Sequence, residues 1–98
     1  MREIKLVPKI PFSNHMEVEL FDYPDGLSGE ERKRCDIDVD YTPEDIRNLK
    51  AAGMDCAAMK EYYRKEVLQM IRAMIGPDFE VAGGMEEVLS KIEEHLPV

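Results

Sequence analysis

The sequence predicts an α+β fold, in which a small antiparallel sheet of about three N-terminal strands is covered on one face by about three C-terminal helices. Up to Tyr41, apolar side chains alternate with charged ones; beyond Thr42 they recur at helical spacing. Strong turn and stop signals, Pro24-Asp25-Gly26, Gly53 and Gly76-Pro77, separate the segments. The 98 residues, 44% of them hydrophobic, suit one compact domain over 1–98.

Arg2 to Val7 reads as a strand with Ile4 and Leu6 on one face. Pro8 and Pro11 interrupt any ladder there, so the strand is expected at a sheet edge or to end near Val7. Met16 to Tyr23 sets Met16, Val18 and Leu20 against Glu17 and Glu19, the period of a half-buried strand. Ser28-Gly29-Glu30-Glu31 resembles a capping box and predicts one helical turn. From Cys35 to Tyr41 the residues Cys35, Ile37, Val39 and Tyr41 share one face, and Asp36, Asp38 and Asp40 share the other. These last two strands are read as antiparallel, joined by a loop of about nine residues, longer than most hairpin loops.

Thr42 can cap a helix that Pro43 opens and whose dipole Glu44 and Asp45 complement; it runs to Ala52, with Ile46, Leu49 and Ala52 apolar, and stops at Gly53. Asp55 caps a longer helix reaching Ile75. Its stripe is Met59, Tyr63, Val67, Met70 and Met74, and Leu68, Ile71 and Ile75 predict burial all round at its C-terminal end. Phe79 and Val81 flank Glu80 in at most a short extended segment. Ala82-Gly83-Gly84 reads as a hinge-like turn before a last helix over Met85 to Leu96, with Met85, Val88, Leu89, Ile92 and Leu96 on its stripe.

The formal net charge is −8, unevenly placed: residues 16–45 carry eleven acidic and three basic side chains, whereas residues 46–75 carry six basic and three acidic. Such a field repels phosphate backbones, so direct nucleic-acid binding is not expected. No apolar run approaches the ~20 residues that span a bilayer, so no membrane partner is expected. The first residues lack the apolar core of a secretory signal. Cys35 and Cys56 are too few to staple a secreted domain, which points to the cytoplasm and reduced thiols.

Motifs for chemistry are sparse. On a strand, Asp36, Asp38 and Asp40 line up ~7 Å apart on one face, a spacing at which a divalent cation can bridge neighbours. As an EF-hand opening the run fails: Tyr41 and Arg47 stand where Gly and Glu are needed. A solvated strand face is the preferred reading. Cys56 beside its cap is expected to be a small buried thiol, and Cys35 an inert inward one. His15, Cys35, Cys56 and His95 contain no close pair of the kind structural zinc sites use. Ser13, Ser28 and Ser90 lie in no nucleophile elbow, and no phosphate-binding glycine motif is present. Pro8 to Pro11 has PxxP spacing but reads as a bent loop. Lys60, Arg64 and Lys65 read as a solvated helix face, and Arg32-Lys33-Arg34 as a loop charge run.

The expectation is a small acidic cytosolic interaction or assembly module that self-associates or binds a protein partner, without catalysis, cofactor or metal. The acidic residues Glu17, Glu19, Asp36, Asp38 and Asp40, with the basic residues Arg32, Lys33 and Arg34, are the expected contact residues. Two alternatives stand beside it. One is an acidic nucleic-acid mimic that inhibits a DNA- or RNA-handling protein. The other is a small metal-binding protein using the Asp36, Asp38 and Asp40 strand.

Overall fold

The computed structural model describes residues 2–9 and 15–94. Alternation in the N-terminal part produces three strands, β1 (Arg2–Pro8), β2 (His15–Tyr23) and β3 (Arg32–Asp40). Two helices follow, α1 (Pro43–Ala51) and α2 (Cys56–Ile75), then a fourth strand, β4 (Phe79–Gly83), and α3 (Met85–Glu94). The sheet order is β3-β2-β1-β4; β2 is antiparallel to both β1 and β3, and β4 runs parallel to β1. The fold is thus α+β with a four-stranded mixed sheet. The short extended segment at Phe79 is a full member of it. A parallel partner needs a crossover, and the chain supplies one by passing α1 and α2 between β3 and β4.

β1 therefore lies inside the sheet and not at its edge. Pro8 is tolerated because it is the last residue of the strand, where one missing N–H ends the ladder without breaking it. The helical turn expected after Ser28 does not form. Residues 24–31 make tight turns instead, with Gly26 N–H donating to Tyr23 O at 3.0 Å and Gly29 N–H to Gly26 O at 3.0 Å. Glu31, needed for the capping box, instead accepts from the Tyr23 hydroxyl. The basic triplet Arg32-Lys33-Arg34 opens β3 and is not loop.

The pleat turns Ile4, Leu6, Met16, Val18, Leu20, Ile37 and Val39 to one side, all buried. Ile46 of α1, Met59, Tyr63, Val67 and Ile71 of α2, and Val88, Leu89 and Ile92 of α3 complete the same core. Burying each such side chain stabilises by about 1.5–3 kcal/mol. Thr42 Oγ1 accepts from Asp45 N–H at 3.1 Å, and Asp55 Oδ1 from Ala58 N–H at 2.8 Å, so both caps form as expected. Ala52, however, is exposed, and the C-terminal end of α2 is buried on one side only, with Met74 50% exposed. In a two-layer fold nothing covers the far side of a helix. The buried stripe runs Met59-Tyr63-Val67-Ile71, leaving Met70 partly covered.

Gly84 joins β4 to α3 at φ +93°, and a Cβ there would stand 1.8 Å from Leu6 O. The glycine is required by close backbone approach, a stronger demand than a hinge. Leu96 and His95 of the expected last helix, Pro11 of the PxxP run and Ser13 lie outside the described residues. Among the described residues, no helix is long and apolar enough to cross a membrane.

Candidate functional site

Because side chains alternate across a strand, burying one face of the sheet presents the other to solvent. β3 places Asp36, Asp38 and Asp40 on that outer face, all exposed. The β2–β3 register sets Glu17 opposite Asp38 and Glu19 opposite Asp36. Like charges directly opposite one another destabilise a sheet. Two lysines offset the repulsion: Lys9 Nζ lies 3.5 Å from Glu17 Oε1 and 3.1 Å from Glu19 Oε1, and Lys33 Nζ lies 3.4 Å from both Glu19 Oε1 and Asp36 Oδ1. The hydrogen bond from Lys9, with Lys33 beside it, holds the Glu19 carboxyl below the usual carboxylate range. The bond to Glu19 likewise raises the Lys9 ammonium. No described lysine or arginine pairs with Asp38 or Asp40; His15 faces Asp40 in the register and is half-buried.

The structure thus brings the five expected acidic residues onto one face and draws Lys33 in among them. Arg32 and Arg34 are exposed on β3 and form no ion pair among the described residues. Lys5 lies 5.5 Å from the Tyr23 ring centroid, on the same face as Phe21, so the face changes from acidic to mixed along β2.

Asp36, Asp38 and Asp40 stand in a row and do not converge. Among the described residues, no group of three or more His, Cys, Asp or Glu side chains is placed to hold a metal ion. Cys56 is exposed, contrary to expectation, because the first turn of α2 projects beyond the core. Cys35 faces inward as expected; its thiol donates to Met74 Sδ at 3.4 Å, and burial, then the Asp36 charge, raises its pKa. Ser28 and Ser90 are exposed.

A cavity of about 520 Å³ lies between α2 and the Gly83-Gly84 junction, where the α3 N-terminus could attract an anion. Its cation is already engaged: Arg64 Nη2 lies 2.7 Å from Glu86 Oε1, and Arg64 Nε 3.2 Å from Glu61 Oε2. Lys60 is bound to Glu93 at 3.4 Å, so the basic strip on α2 is largely answered from within the chain.

Sequence reading missed the buried Asp22, whose Oδ1 lies 3.2 Å from Arg2 Nε. The signal was present, since Asp22 continues the inward series Met16, Val18, Leu20. It also missed the bridging role of Lys9, which depends on the β1–β2 register.

The chain matches no known protein family, no curated protein and no solved structure.

Proposed function

We propose that this protein is a non-enzymatic docking module of the cytoplasm that presents the uncovered acidic face of its sheet to a basic protein partner. The observation that carries this reading is the pair of like-charged cross-strand contacts, Glu17 opposite Asp38 and Glu19 opposite Asp36, on a face that no helix among the described residues covers. Solubility alone asks for charge but not for carboxylates stacked at unfavourable register. A cationic partner would relieve that repulsion, so part of the binding energy is stored in the free protein. The free cysteines fit a reducing compartment.

The open edge of β3 favours a second reading, in which the partner is another copy of the chain. Against it, Lys60 and Arg64 would have to leave Glu93 and Glu86 to meet the acidic face of a second molecule. The nucleic-acid mimic has less support. Lys9 and Lys33 interrupt the acidic face, and other carboxylates stand apart on α1 and α3.

Capture from a lysate of the source cell, with the wild type and Asp36→Asn/Asp38→Asn side by side, tests the proposal. A positively charged protein retained by the wild type, lost with the variant and released by salt is expected. Identical retention by both, or none, would contradict it. Light scattering of the protein alone decides the second reading, which a monomer at high concentration removes.

A further inference from the structure

The acidic row does not end with the strand. Asp40 at the end of β3, Asp45 in the first turn of α1 and Glu66 in α2 line one cleft of about 200 Å³, whose walls include the rings of Tyr62 and Tyr63. No described lysine or arginine makes an ion pair with any of these carboxylates. Tyr63 is only 3% exposed, yet its hydroxyl donates no hydrogen bond among the described residues. A buried phenol ordinarily finds a partner. Burial first, then electrostatic coupling to Tyr62 and to the carboxylates of Asp45 and Glu66, pushes its pKa up to about 12, so it stays neutral and keeps lone pairs free to accept. Tyr62, 38% exposed, meets Tyr63 edge-to-face with ring centroids 5.3 Å apart.

Three carboxylates from three elements that no described lysine or arginine pairs with, a largely buried tyrosine on the cleft wall whose hydroxyl makes no hydrogen bond among the described residues, and aromatic walls describe a receptor for an organic cation. We propose that the cleft receives the guanidinium of an arginine side chain from the basic protein that docks on the sheet face. Asp40, Asp45 and Glu66 supply its counter-charges, and Tyr62 and Tyr63 its aromatic walls. The planar guanidinium suits carboxylates that approach from different directions and stacks on aromatic rings; a lysine ammonium is more strongly hydrated and offers no plane. The cleft is side-chain sized, and Asp40 belongs both to it and to the acidic row, which ties it to a macromolecular ligand. The identity of the arginine's source rests on the docking reading; the preference for a guanidinium does not.

The test is an NMR titration of the intact protein with arginine blocked at both termini, followed at the ring signals of Tyr62 and Tyr63. Blocked lysine and blocked citrulline, the neutral isostere, serve as competitors in parallel. Saturable shifts with arginine are expected, weaker ones with lysine and none with citrulline. Glu66→Gln and Tyr62→Ala, which remove one exposed or half-exposed group each and keep the folded amide spectrum, should each weaken arginine binding about fivefold or more. No saturable response to arginine, or an equal response to citrulline or lysine, overturns the assignment. Asp38→Asn lies outside the cleft, so loss of the captured partner with that variant while arginine binding persists isolates the sheet-face reading. Partner capture that survives Glu66→Gln and Tyr62→Ala unchanged counts against the arginine anchor alone.

Discussion

Asp22 is 2% exposed on the inward face of β2, with Arg2 as its counter-charge. The 3.2 Å approach makes an ion pair, yet no N–H points along the bond direction, and Asp22 Oδ1 accepts no hydrogen bond. Arg2 also donates to Ile75 O at 3.4 Å and so ties β1 to the end of α2. Removing one partner of a buried pair leaves an uncompensated charge at a cost of about 3–5 kcal/mol. Arg2 is 30% exposed, so Arg2→Ala is expected near the lower end, about 3 kcal/mol in urea unfolding, with Asp22→Asn in the same background recovering part of the loss. Tyr63 gives a second test, in alkali. Its folded pKa of about 12 lies above the ordinary phenol value, so the unfolded chain releases the proton first. Stability is full below pH 10 and falls as pH rises through the folded value, by up to about 2 kcal/mol. Tyr63→Phe should flatten that alkaline decline; an unchanged slope would remove the assignment. The chemistry of Asp22 was partly legible, since its position in the alternation points inward. Its partner Arg2 was not, because only the β1–β2 register joins them.

The paired strands β2 and β3 carry repulsion that their lysines offset incompletely. Asp38→Asn removes one like charge opposite Glu17 and breaks no described ion pair, so it should stabilise the isolated protein by roughly 0.2–1 kcal/mol at low salt, less at high salt. A melting temperature that falls would contradict the unfavourable register. Elements with strong periodicity and caps were legible: α1 and α2 begin at Thr42 and Asp55 because those side chains satisfy free N–H groups. β4 was not, since five residues without a fully buried side chain form a strand only through pairing with β1, a contact distant in sequence. The end of α2 shows the opposite failure. Its apolar residues suggest burial all round, but a single covering layer can bury only one face.

Across the molecule, all three helices contribute to one core with one face of the sheet, and the other face is left to charge. That division explains why the acidic residues could be listed from sequence but not assembled into a site. Alternation tells which face each side chain takes, and the connecting loop makes β2 and β3 neighbours; neither tells the register in which they pair. The register alone turns four of the five carboxylates into two opposed pairs, and the chain reversal after β3 brings Asp40 to Asp45 and Glu66. The acidic sheet face as binding surface is tested most directly by amide shift mapping of the protein with its captured partner. Perturbations at Glu17, Glu19, Asp36 and Asp38, fading as salt is raised, are the result expected. Perturbations confined to α2 and α3, with β2 and β3 silent, would contradict it.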